Sequence, residues 1–122
     1  MKPMNKNIIK LQSEVKFYIP STISKSVPID NDTLQERINF IAGRMSDLFG
    51  GATSCTAVGY YKADDGKLIT ERITIVTSYT DKLSFDFIET MLELASVNGY
   101  DWGQESMLIE VNGTGYLVPA SK

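Results

Sequence analysis

A chain of 122 residues, 43% hydrophobic and 22% charged, is long enough for one domain whose core needs no disulfide or metal staple. Its 12 basic and 15 acidic residues leave a net charge of -3, and no run of Lys and Arg follows a phosphate backbone, which argues against nucleic acid as a partner. Histidine is absent, removing imidazole triads, Cys–His dyads and nearly every catalytic zinc site, so the expectation is a protein that is not an enzyme and takes no cofactor or metal, with carboxylate or lysine chemistry left open.

The start, MKPMNKNIIKLQ, is basic but lacks the apolar run of a signal peptide, and residues 1–13 read as a flexible N-terminal arm. No segment approaches the roughly 20 apolar residues that span a bilayer, so no membrane partner is expected and the cytoplasm is the expected location. Residues 14–119 read as a single α+β domain and residues 120–122 as a tail.

Val15, Phe17 and Ile19 alternate with Lys16 and Tyr18, the period-two pattern of a half-buried strand that Pro20 ends. Ser21 to Pro28 reads as a hydroxyl-rich surface loop. Thr33 followed by Glu36 forms a capping-box pattern, with Asp30 and Asp32 near the positive helix end. Behind it Leu34, Ile38, Ile41, Met45 and Leu48 form one stripe of a helix of about 16 residues. Gly50 sits where a left-handed cap belongs. Gly43 inside the helix costs about 1 kcal/mol against alanine, which suggests close packing of that turn against a strand.

Residues 55–62 and 68–79 read as strands joined through Asp65-Gly66, a hairpin signal. Phasing puts Ile73, Ile75 and Tyr79 on one face and Arg72, Thr74, Val76 and Ser78 on the other. Glu71 then shares the apolar face with Ile69 and Ile73; either it lies beyond the core's edge or a bulge turns it into a site. Ser84 is the candidate cap of a second helix with Ile88, Met91, Leu92 and Ala95 inside, stopped by Asn98-Gly99. Strands at 106–111 and 116–118 flank a turn at 112–115, and Pro119 suits the end of an edge strand. The order β, α, β, β, α, β, β fits an antiparallel sheet of about five strands with two helices on one face, the ferredoxin-like arrangement. The other face, carrying Tyr18, Arg72, Thr74 and hydroxyls, suits dimerisation or a ligand.

Several residues are candidates for binding. Phe49-Gly50-Gly51-Ala52-Thr53-Ser54 leaves amides uncovered beside two hydroxyls, open to an anion or ribose, but no lysine follows and no helix opens there, so it is no P-loop, and a helix stop with a tight turn explains both glycines. Arg37, Arg44 and Arg72 are the only arginines: Arg37 and Arg44, seven apart, either clamp phosphates or are solvated helix charges, while Arg72 is placed mid-strand. Tyr100 or Trp102, in a loop rich in glycine and amides, can stack on a base, or Trp102 plugs one end of the core. Cys55, with no histidine to activate it, reads as a small core residue.

The strings FGGATSCTAVGYY and DGKLITERITIVTSYT resemble those of small proteins of phages, prophages and plasmids, and over roughly residues 15–118 the chain is similar to the Thoeris anti-defence sponges, which bind a cyclic ADP-ribose signal without cleaving it. The resemblance implies non-catalytic sequestration of a small signalling nucleotide in phage counter-defence, inside the host cell. A pocket for it would draw on Tyr60, Phe85, Tyr100 or Trp102 to stack adenine, on Arg44 and Arg72 for a pyrophosphate, and on Thr53, Ser54 and Asn98 for ribose, completed by a second subunit of a homodimer or higher homo-oligomer. The alternative is a protein–protein interaction module that inhibits a host factor through its acidic surface or an exposed strand.

Overall fold

The computed structural model describes residues 7–24 and 27–122. Residues 1–6 of the expected arm, and Lys25 and Ser26 of the expected loop, lie outside the described residues.

The chain forms β1 (Ser13–Pro20), β2 (Thr22–Ile23), β3 (Val27–Pro28), α1 (Asn31–Phe49), β4 (Thr53–Lys62), β5 (Leu68–Thr80), α2 (Phe85–Asp101), β6 (Ser106–Val111) and β7 (Thr114–Pro119). Five strands make one antiparallel sheet in the order β4-β5-β1-β6-β7, with β2 and β3 a separate two-stranded piece. The α+β class, the five-stranded sheet and the two helices on one face are as the sequence predicts. The chain's apolar strand takes the centre: Phe17 of β1 lies opposite Val76 on β5 and Ile109 on β6. With Val15, Ile19, Met107 and Val111 these residues bury against Ile41 and Met45 of α1 and Met91 and Ala95 of α2. Among the described residues, no helix is long and apolar enough to cross a membrane.

Local chemistry corrects several boundaries. The N-cap of α1 is Asp30, whose carboxylate accepts from the Thr33 amide at 2.7 Å, so the helix starts before the expected Thr33 box. Gly50 closes it in the left-handed conformation at φ 96°, its amide donating to Ser46 O at 2.8 Å. Gly43 is exposed and a Cβ there would meet nothing within 4 Å, so it packs against no strand. The second helix runs past Asn98-Gly99, because the Asn98 side chain donates back to Leu94 O at 2.8 Å and Gly99 is packed against Met107 and Ala120. The tail at 120–122 is hydrogen-bonded, through Ala120 N to Glu105 O at 2.9 Å and Ser121 N to Ser96 O at 3.1 Å.

The largest correction concerns the faces of β5. The alternation is as expected, but Thr74, Val76, Ser78 and Thr80 face the helices while Ile73, Ile75, Thr77 and Tyr79 lie on the uncovered side with Tyr18. The buried hydroxyls are tolerated because they have partners: Ser78 Oγ donates to Gly51 O at 2.6 Å, and Thr80 Oγ1 accepts from Lys82 N at 3.0 Å. Strand β4 forms a free edge with no fully buried residue, so Cys55 is exposed and not a core residue.

Candidate functional site

Arg37 lies between the stripe positions Leu34 and Ile41, so the helix aims it under the sheet and not at solvent. It is only 5% exposed. Its Nη1 donates to Pro20 O and to Thr22 O, both at 2.9 Å, and its guanidinium lies 4.9 Å from the centre of the Trp102 ring. Nε is buried without a partner. Burial pulls the Arg37 pKa down, and the negative charge of Glu71 acts in the opposite direction. A buried guanidinium nitrogen with no protein partner is an uncommon arrangement.

From this cation a chain of bonds runs to Glu71. The Thr22 carbonyl accepts from both Arg37 Nη1 and Gln104 Nε2, the latter at 2.8 Å, which fixes the second residue after the central strand. The Thr22 hydroxyl then donates to Glu71 Oε1 at 2.7 Å. Glu71 is half-buried in mid-strand, and opposite it on β4 is Gly59, which adds no side chain. By alternation its face also carries Ala57, Tyr61, Ile73, Ile75 and, across the central strand, Tyr18. The result is a wall with one oriented carboxylate, a strip of small and aliphatic residues, and aromatic rings at its margins, suited to a flat heterocycle with a cationic group attached.

Farther along the same face Lys16 lies 3.7 Å from Glu14 and 3.9 Å from Glu110, and the Tyr18 hydroxyl donates to Glu110 at 3.4 Å. Burial, and then the charge of Glu110, pushes the Tyr18 phenol above its usual pKa; the bond to Glu14 does the same for Tyr79. The charge of Glu14 is the main cause that raises the Lys16 ammonium above its usual pKa.

The sequence-derived candidates are spread over several places. Arg44 and Asn98 come together in a cleft of about 290 Å³ between the helices, with Phe40, Glu93 and Asp101. Thr53 lines a second cleft of about 280 Å³ with Gly50, Gly51 and Tyr79. Ser54 is exposed on β4, opposite Val76. Tyr60 and Arg72 are diagonal neighbours on the face of the β4–β5 hairpin opposite to Glu71. Phe85 starts α2 and is 73% exposed, and Tyr100 lies exposed beside Lys122. Trp102 alone among them touches the Arg37 network. That network, with Thr22, Glu71 and Gln104, is the part sequence reasoning did not assemble. Two signals for it stand in the sequence: Glu71 on an apolar strand face, and Arg37 one turn from the stripe residues Leu34 and Ile41.

No protein-family model matches the chain, and no curated protein does. Two solved structures share its fold. A phage SAM lyase in complex with S-methyl-5'-thioadenosine is similar with a TM-score of 0.67 and 18% identity, over 98% of this chain and 97% of that one. A phage SAM lyase in the apo state gives a TM-score of 0.62 and 19% identity over 90% of each chain. These neighbours overturn the expectation that the chain is not an enzyme, because the fold it shares with them over nearly its whole length is that of a lyase. The missing imidazole was the wrong criterion: it excludes only reactions that need a group titrating near neutral pH.

Proposed function

We propose that this is a phage protein that binds S-adenosylmethionine and cleaves it to S-methyl-5'-thioadenosine. The observation that carries the reading is the similarity, over 98% of the chain, to a phage SAM lyase holding that thioadenosine. The Glu71 wall supports it independently, with a carboxylate for the cationic part of the ligand and the tyrosine-flanked strip for its purine.

The chemistry asks little of the protein. The sulfonium sulfur takes the electron pair of its bond to the aminobutyryl γ-carbon and leaves as a neutral thioether. The carboxylate at the far end of the same chain attacks that carbon and closes a five-membered lactone, so the substrate brings its own nucleophile and leaving group. Opposite charges vanish in this step, which a poorly hydrated wall favours over water. The protein must fold the aminobutyryl chain back on itself and hold its ammonium, and Glu71 is the residue placed to accept from it.

One subunit leaves the wall open. A second copy packed against the free edge of β4 closes it, and the exposed Val58, Tyr60, Tyr61 and Leu68, between 49% and 66% accessible, are the apolar surface such packing would cover. This keeps the homo-oligomer expected from the sequence, while Tyr60 and Arg72, on the face opposite to Glu71, lie outside the pocket it would close. Incubation with S-adenosylmethionine followed by chromatography is the test. Thioadenosine accumulating beyond the protein concentration is the expected result. Failure to bind or convert the sulfonium, with cyclic ADP-ribose held instead, would overturn it in favour of the ligand implied by the FGGAT resemblance.

A further inference from the structure

We infer that Thr22 is a positioning residue for Glu71, held in place by Arg37 and Gln104, so that α1, the strand after the central β1 and the loop after α2 together set the direction of one carboxylate. The inference rests on the reading of Glu71 as the ligand-facing group. Its evidence lies in the bonds themselves.

Four residues distant in sequence converge: Thr22 bonds Glu71 at a separation of 49 residues and Gln104 at 82. The Thr22 carbonyl takes donors from two different elements at 2.9 and 2.8 Å, which leaves its backbone little freedom. Gly103 tightens the same corner, since a Cβ there would come within 2.8 Å of Ile23 Cγ1, and its carbonyl accepts from Ser24 N at 3.1 Å. A short charge-assisted bond from one hydroxyl holds the Glu71 carboxylate in a single direction. The bond occupies Oε1 and leaves Oε2 as the oxygen available to a ligand. The buried Arg37 cation also acts on Glu71 with its opposite charge.

The test compares Thr22→Val, which removes the hydroxyl at nearly constant shape, with Thr22→Ser, which keeps it. In S-adenosylmethionine cleavage, Thr22→Val is expected to lower kcat by about 10- to 100-fold with a much smaller change in KM, and Thr22→Ser to restore kcat to within about threefold. Three-bond couplings that report the Glu71 χ1 rotamer supply a readout independent of activity: one rotamer in the wild type and Thr22→Ser, averaging in Thr22→Val. Equal kcat in both variants, or an unaveraged Glu71 in Thr22→Val, would overturn the inference. If the wild type neither binds nor cleaves the sulfonium, the functional reading fails while the rotamer measurement still decides the role of Thr22.

Discussion

Two glycines in helices separate the effect of local backbone preference from that of packing. Replacing either Gly43 or Gly99 with alanine brings the same gain in helix propensity, roughly 0.8–1 kcal/mol. At Gly43 the new Cβ meets nothing within 4 Å, so that gain should appear in full. At Gly99 the Cβ falls 2.8 Å from Met107 Cγ and 3.3 Å from Ala120 Cβ. Met107 is only 3% exposed and belongs to the core of β6, so it cannot swing into solvent, and overpacking of this kind costs about 1–3 kcal/mol. The two variants should therefore differ by about 1–3 kcal/mol, although their chemistry is identical. With an unfolding entropy of about 2.1 cal/mol/K per residue, each kcal/mol moves Tm by about 4 °C in a chain of this length, so Gly43→Ala should melt about 4–12 °C above Gly99→Ala. Calorimetry of both variants beside the wild type measures this. If Gly99→Ala rose in Tm as far as Gly43→Ala, the contact of α2 with β6 would be looser than described, and the placement of the Trp102 loop that follows it would lose its basis.

Other outcomes follow from the same structure. Phe17→Ala, at a fully buried position in the centre of the sheet, should lower stability by about 3–5 kcal/mol in denaturant titration, more than any surface change. The Thr33 amide, as the main cause, holds the Asp30 carboxyl below its ordinary 3.8; the stability this contributes is present above that value and lost as pH falls through the lower folded one. Asp30→Asn, which keeps a cap acceptor but cannot titrate, should flatten the decline in Tm over about pH 2 to 5. Burial, aided by Glu110, raises the Tyr18 phenol above 10.0, so the stability of its neutral form is complete below that value and lost as pH rises through the higher folded one. Tyr18→Phe should lose less stability in alkaline melts, and an equal loss would place its ring in water.

Much of the architecture was legible because it is written in local periodicity. The stripe from Leu34 to Leu48, the Gly50 cap and the Asp65-Gly66 turn each depend on residues within a few positions of one another. The faces of β5 were misjudged because both carry β-branched residues: Ile73 and Ile75 outrank Thr74 and Ser78 in hydrophobicity, yet hydrogen bonds to Gly51 and Lys82 let the hydroxyl side go inward. The sequence offers Arg37 as a phosphate clamp or a solvated helix charge; the structure buries it instead, because its partners at Pro20, Thr22 and Trp102 come together only in three dimensions. Of the nine residues the sequence offers for one pocket, Arg44 and Asn98 share a cleft and Tyr60 and Arg72 share a face of the hairpin, while Phe85, Tyr100 and Ser54 fall elsewhere. The expectation that the chain is not an enzyme rests on the missing histidine alone, and the fold it shares with a lyase counts against it.

The central claim is that this protein, through Glu71, turns a sulfonium into a thioether. S-adenosylmethionine labelled with carbon-13 in its methyl group, followed by NMR in the presence of catalytic amounts of protein, reads the step directly, since the methyl resonance of the sulfonium differs from that of the thioether. The wild type should convert the signal over many turnovers, and Glu71→Gln, with an unchanged melting temperature, should convert little of it. A sulfonium signal that persists with the wild type, or that disappears equally fast with Glu71→Gln, would contradict the account.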